Sequence, residues 1–332
     1  MGNSNLKLTH AGYPNPERKA ALLKPLPDHY HLSKHFIHAR EVGSPLVALE
    51  SAVITHGLPR PENLTLAREM EGEVRAFGAM PATVALLDGK IRVGLEDEEL
   101  ERLANLDETR KISLRDFGIA LANGLSGGTT VAATLFVAAQ VEIRVFATGG
   151  IGGVHRGAPF DISADLPQLG RSPVLVVCAG AKAILDLPAT KEVLETQGVP
   201  VLGYQTDTIP AFYTSSSGLA VDYRVDSPQE AAAIATSAWE ASLNSAVVLM
   251  VPPPEETALS GDMIEDAIRS ALAEAETKGI HGAAATPFLL QRVSELTDGE
   301  SLRANLALLK NNARIAAQVA AAMGSPKKIG PF

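Results

Sequence analysis

At 332 residues, with 46% hydrophobic and 20% charged side chains, the chain has the length for one large domain or two and the apolar content for a sizeable core. A formal net charge of −9, without any block of lysines or arginines, argues against a nucleic-acid polymer or an anionic membrane as partner and leaves room for a small anionic ligand. The single cysteine, Cys178, excludes an intramolecular disulfide, gives no support to a Cys/His zinc cage, and points to a reducing compartment such as the cytoplasm.

Residues 1–43 are polar and proline-punctuated, lack the apolar core of a secretory signal, and read as a partly disordered leader. Lys24-Pro25, followed after five further residues by His31-Leu32, nearly matches an N-terminal peroxisomal address, with proline where an aliphatic residue is expected. The alternative is a leader with no address. A single domain is expected over 44–324, with a tail over 325–332.

Pro45-Leu46-Val47-Ala48-Leu49 reads as a short buried strand, and the carboxylate at its tip, Glu50, must be solvated, paired or functional. Pro61 to Phe77 follows as an amphipathic helix with Leu64, Ala67, Met70 and Val74 on one stripe. Asp88-Gly89 lies between two apolar runs and predicts a hairpin. Glu96 to Leu106 is an acidic helix, and Lys111-Ile112-Ser113 begins another strand, which makes Lys111 an edge residue or a ligand contact. Gly127-Gly128-Thr129-Thr130 then enters the helix VAATLFVAAQ; a glycine-rich loop at a helix start offers free N–H donors to a phosphate, whereas Thr130 as an ordinary N-cap needs no ligand.

The strand from Arg144 to Thr148 runs into a glycine-rich turn, Gly149, Gly150, Gly152, Gly153 and Gly157, and then a polar segment with His155, Arg156, Asp161, Ser163 and Asp165. A second apolar run, Val174 to Cys178, opens into Ala179-Gly180-Ala181-Lys182, so two strand exits point at one site. Beyond it, strands at Val199 to Tyr204 and Ala246 to Val251 alternate with helices at Glu192 to Thr196, Pro228 to Ser242 and Gly261 to Lys278, before helices at Pro287 to Leu296 and Ser301 to Met323. Alternation of this kind predicts an α/β fold, a three-layer α/β/α arrangement around a largely parallel sheet.

Lys182 sits between apolar stretches, where its charged form is penalised, and a neutral amine can bond a carbonyl carbon as a Schiff base. Alternatively its stem is buried while the ammonium reaches water or pairs with Asp186. Asp161 and Asp165, four residues apart, would share one face of a helical turn and suit magnesium or manganese; the alternative is an acidic helix N-terminus without a metal. Two common phosphate motifs fail. A GxGxxG from Gly150 meets His155 where glycine is required, and the Gly89-Lys90 pair has Val84 where a P-loop needs glycine.

The segments ALES with THG at 48–57, GGTTVAAT at 127–134, FATGGIGGVHRG with FDISADL at 146–166, CAGAKAILDL at 178–187, GVPVLGYQTD at 198–207, TPFLLQRVSEL at 286–296 and SLRANLALLKNNA at 301–313 resemble the pseudouridine-5'-phosphate glycosidases, also called the indigoidine synthase A family. The resemblance runs in collinear order over roughly 44–323 and implies reversible cleavage of the C–C glycosidic bond of pseudouridine 5'-phosphate to uracil and ribose 5-phosphate, in a manganese-dependent homotrimer. It also implies Lys182 as Schiff-base nucleophile, Glu50 as proton donor and Asp161 as metal ligand. Substrate contacts would come from Lys111, Val131 and the run Ser163-Ala164-Asp165, with Asn305 as a further polar group; Thr130 is added from the phosphate-cradle argument. Ala52 stands where a threonine is more usual, and the segment between Gly157 and Phe160 is shorter than in many members.

The implied chemistry agrees with these residue types. A C-glycoside has no oxygen or nitrogen leaving atom to protonate, so two carboxylates do not suffice, whereas an amine bonding C1 of an opened sugar offers another route. A Schiff-base aldolase or lyase acting on another sugar phosphate would share Lys182 but not uracil, and a non-catalytic sugar-phosphate binder would use Lys182 only to pair with phosphate.

Overall fold

The computed structural model describes residues 26–280 and 285–324. In chain order the first half holds β1 (Tyr30–Leu32), α1 (Lys34–Glu41), β2 (Leu46–Leu49), α2 (Glu62–Ala76), β3 (Met80–Leu87), β4 (Lys90–Val93), α3 (Asp97–Asn105), β5 (Arg110–Ile112), α4 (Phe117–Ala122), β6 (Gly127–Thr129), α5 (Val131–Gln140) and β7 (Val145–Ala147). The second half holds β8 (Val154–His155), β9 (Ala158–Ile162), α6 (Asp165–Leu169), β10 (Leu175–Cys178), β11 (Leu185–Asp186), α7 (Leu187–Thr196), β12 (Val201–Tyr204), β13 (Tyr223–Val225), α8 (Pro228–Glu240), β14 (Val247–Met250), α9 (Gly261–Thr277), α10 (Ala285–Leu296) and α11 (Glu300–Gly324).

Nine strands follow one path in the order β1-β4-β3-β2-β7-β10-β14-β12-β13, with β6 and β5 branching from β3. From β3 through β13 every pair along this path is parallel. Every residue of β7, β10 and β14 is buried. Successive side chains in a strand point to opposite faces, so uninterrupted burial means that helices cover both faces, as expected of a parallel sheet. The α11 helix packs across β2, β7 and β10 with α2 and α8 beside it, while α5 packs on β2 and β3 next to α6. The expected three-layer α/β/α class is therefore observed. No helix among the described residues is long and apolar enough to cross a membrane.

The expected hairpin closes with Asp88 and Gly89 both at positive φ, and β3 and β4 pair antiparallel on either side. The domain boundary at 44 is corrected. Ser33 accepts from Phe36 N at 3.1 Å as the N-cap of α1, which buries Phe36 and Ala39, and β1 pairs with β4. This stretch belongs to the fold, and it reads as leader because two buried residues in eight give no visible apolar period. His31 and Leu32 of the address-like pattern lie in β1; Lys24 and Pro25 lie outside the described residues, as does the tail at 325–332.

The polar segment after β7 is also more ordered than loop chemistry suggests. Its strands β8 and β9 form a second sheet with β11, which lies beyond β10. The shortened stretch is a tight hairpin in which His155 pairs with Ala158 and Gly157 takes positive φ.

Candidate active site

Register brings the first catalytic candidates together. Leu49 of β2 and Val177 of β10 both stand opposite Ala147 of β7, so the next residues, Glu50 and Thr148, emerge side by side at the carboxyl ends of adjacent parallel strands. The Thr148 hydroxyl donates to Glu50 Oε1. The two following loops are stitched together: Ala179 N donates to Gly149 O at 2.9 Å, Ile151 N to Gly180 O at 3.1 Å, and Lys182 N to Ile151 O at 3.1 Å. This ladder holds the lysine backbone. It also requires glycine at 150, where a Cβ would lie 2.6 Å from the Phe212 ring and 2.9 Å from Gly180 O.

All ten candidate residues line one cavity of about 380 Å³: Glu50, Lys111, Thr130, Val131 and Asp161 together with Ser163, Ala164, Asp165, Lys182 and Asn305. They come from six parts of the chain that only the fold assembles. Ala52, the departure from the usual threonine, lines the same cavity.

Burial pushes the Glu50 carboxyl above its ordinary range, while Lys182, the Thr148 hydroxyl and Lys111 pull it back and Asp165 adds to the rise. Lys111 is half-buried, and its amine is lowered by burial first and by the neighbouring Lys182 charge second. Neither lysine has an ion-pair or side-chain hydrogen-bond partner among the described residues. Asp186, the alternative partner for Lys182, instead caps α7 by accepting from Ala189 N at 3.0 Å. Arg156 braces the segment beyond the lysine: Nη2 donates to Ala183 O at 3.0 Å, Nε to Leu185 O at 3.1 Å, and Nη1 pairs with Glu265 at 2.6 Å.

The expected pairing of Asp161 and Asp165 on one helical turn is corrected. Asp161 belongs to β9 and is exposed, whereas Asp165 opens the five-residue α6 and is buried. Asp165 Oδ1 accepts from Ala132 N and Oδ2 from Gly152 N, both at 2.8 Å, so its carboxylate ties the start of α5 to the glycine-rich loop. Ser163 Oγ in turn accepts from Asp165 N at 3.2 Å. No cluster of three or more His, Cys, Asp or Glu side chains is gathered for a metal among the described residues. One free carboxylate facing a cavity fits a hard divalent ion that keeps most of its waters, and does not fit a zinc cage.

Thr130 is the N-cap of α5, accepting from Ala133 N. With Ala132 N bound to Asp165, the cradle imagined at this helix start is largely occupied from within. Val131, the first helical residue, has no intrahelical acceptor for its N–H and is the donor left for a ligand.

Sequence reasoning gives Thr148 and the cavity residues His56 and Phe212 no role, and places His155 and Arg156 only in the polar segment after β7. His56 lies on a single π-turn, Val53–Gly57, with Nδ1 2.7 Å from Thr55 Oγ1, and burial and then Lys111 lower its pKa. Phe212 takes φ of +65°, strained for an aromatic residue. Thr148 alone carried a readable signal, since it follows β7 as Glu50 follows β2.

Comparison with known proteins finds relatives that span most of this chain. The family model described as indigoidine synthase A like protein matches residues 36–322. A pseudouridine-5'-phosphate glycosidase of Herpetosiphon aurantiacus is 56% identical over 287 residues, covering 85% of this chain and 93% of the relative. The crystal structure of an indigoidine synthase A-like protein from Thermotoga maritima superposes with a TM-score of 0.83 at 35% identity, covering 92% of this chain and all of that one. The prealnumycin C-glycosynthase AlnA, solved with ribulose 5-phosphate, gives a TM-score of 0.82 at 40% identity, covering 89% of this chain and 97% of its own. With the family model spanning nearly the whole described fold and relatives above half identity, the chain belongs to the indigoidine synthase A like family.

Proposed function

We propose that the protein cleaves the C–C glycosidic bond of pseudouridine 5'-phosphate reversibly, giving uracil and ribose 5-phosphate through a lysine Schiff base. The observation that carries this reading is the convergence on one cavity of a buried Glu50 carboxyl and a Lys182 amine without an ion-pair or side-chain hydrogen-bond partner among the described residues, in a chain 56% identical to a glycosidase so named. Support for a phosphorylated pentose comes from the structural neighbour that holds ribulose 5-phosphate.

In this scheme the Lys182 amine, once deprotonated, bonds C1 as the ring C–O bond breaks, and a proton from that nitrogen ends on the departing ring oxygen. The uracil carbon then takes a proton from Glu50, the C–C bond breaks with its electrons staying on the base, and C1 is left as an iminium on Lys182 that water hydrolyses. Lys111 and the Val131 N–H supply positive charge and a donor to the phosphate, and Asn305 presents its amide to the cavity. Asp161 is the residue that would hold a manganese or magnesium ion, whose chemistry when bound is stabilisation of negative charge on oxygen. The family resemblance further supports a homotrimer, and the single cysteine supports a reducing compartment such as the cytoplasm. Light scattering at three times 34.8 kDa tests the assembly.

The direct test is incubation with pseudouridine 5'-phosphate and manganese, with free uracil as readout and Lys182→Ala as control. Uracil from the wild type alone is expected. No uracil above the control rejects the reading.

A further inference from the structure

Hydroxyl side chains near the ends of these strands mostly serve the backbone. Ser51 Oγ donates to Val84 O at 2.5 Å, and Thr129 Oγ1 donates to the same carbonyl at 2.6 Å. Thr148 and Thr83 each donate to a carboxylate, but only the acceptor of Thr148, Glu50, lines the cavity. Thr148 is fully buried, so this hydroxyl has no water to exchange with.

Its backbone is held from two sides. Thr148 N donates to Val177 O at 3.0 Å, and Asn312 Nδ2 donates to Thr148 O at 2.9 Å and to Gly149 O at 3.4 Å. Asn312 is fully buried and stands two turns after Asn305 on α11, so one face of that helix presents an amide to the cavity and braces the strand end behind it. A β-branched residue on a fixed backbone has few rotamers, which fixes the direction of its hydroxyl.

We propose that Thr148, braced by Asn312, is a positioning residue that ties Glu50 Oε1 and leaves Oε2 as the single oxygen exchanging the proton in the cavity. This rests on the proton-transfer role given to Glu50 above. The groups acting on that carboxyl are Lys182, Lys111 and Asp165; His56, His155 and Asp161 also line the cavity, and Arg115 lies 4.0 Å from Asp116. The Thr148 bond favours the ionised carboxyl against burial. Its loss therefore moves the Glu50-governed limb of the rate profile to higher pH, whichever direction of the reaction is followed.

The test compares wild type, Thr148→Val and Thr148→Ser by steady-state uracil release across pH, with thermal melts and borohydride trapping of ribose 5-phosphate as controls. Thr148→Val is expected to lose about ten-fold or more in kcat with KM nearly unchanged. Its pH limb moves upward, trapping on lysine persists, and Thr148→Ser restores rate and profile. Should Thr148→Val fail to fold, Thr148→Ala serves in its place with the same expectations. Wild-type kcat and pH profile in the hydroxyl-less variant, or a serine variant as impaired as valine, overturns the positioning role while the glycosidase reading stands. A wild type that releases no uracil is a different failure, since it removes the reading itself and this role with it.

Discussion

Replacing Asp165 by alanine separates a structural carboxylate from a substrate-binding one. The side chain is 5% exposed, and both of its oxygens accept backbone N–H bonds, from Ala132 and Gly152 at 2.8 Å. Gly152 is packed against Ser163, whose Oγ lies 2.2 Å from where a Cβ would stand, which limits the room its backbone has to find a new partner. Two buried amides lose their acceptors in Asp165→Ala, at about 1–3 kcal/mol each, so the variant should lose about 2–6 kcal/mol. That is a large share of the roughly 5–15 kcal/mol that holds a domain together. Equilibrium urea denaturation followed by circular dichroism reads it directly. A midpoint shift worth under about 0.5 kcal/mol, together with a raised KM, would refute the reasoning and return Asp165 to a direct substrate contact.

Glu50→Gln should abolish turnover and still stabilise the protein at alkaline pH. Burial raises the folded-state carboxyl, so between its unfolded and folded values the native state holds more protons and stability falls as pH rises through that window. Above it the wild type bears the full cost of a buried charge and the glutamine does not, while the difference closes as pH drops below the ordinary glutamate range; denaturation midpoints across pH check the sign. Arg156→Ala frees the carbonyls of Ala183 and Leu185 and should slow adduct formation on Lys182 by about ten-fold or more, since small misplacements of a reacting group are costly. Arg156→Lys should not rescue it, because one ammonium cannot replace the guanidinium fork; full rescue would show that charge alone matters.

Much of the fold is visible in apolar runs. Val174 to Cys178 and Ala246 to Val251 read as buried strands because a parallel sheet hides both faces, and Asp88-Gly89 fixes a hairpin by backbone conformation alone. The three-stranded sheet of β8, β9 and β11 left no such trace, since its strands run two to five residues and Gly157 and Phe160 mimic loop chemistry. Phe160 stays 98% exposed, so even its apolar side chain misleads about burial. Spacing suggested a helical partnership of Asp161 with Asp165, but spacing carries no information about which backbone amides lie across the cavity. Lys182 and Glu50 were legible as chemistry, one an amine among apolar neighbours and the other a carboxylate at a strand tip. Their support by Arg156 and Thr148 depends on register between segments 27 and 98 residues apart, which no local pattern records.

The central claim is that one amine forms a covalent bond to the sugar, and borohydride reduction in the presence of ribose 5-phosphate, followed by peptide mapping, tests it most directly. A single reduced adduct on Lys182, absent from Lys182→Ala, is predicted. An adduct on Lys111 instead, or none on the wild-type protein, would contradict the account.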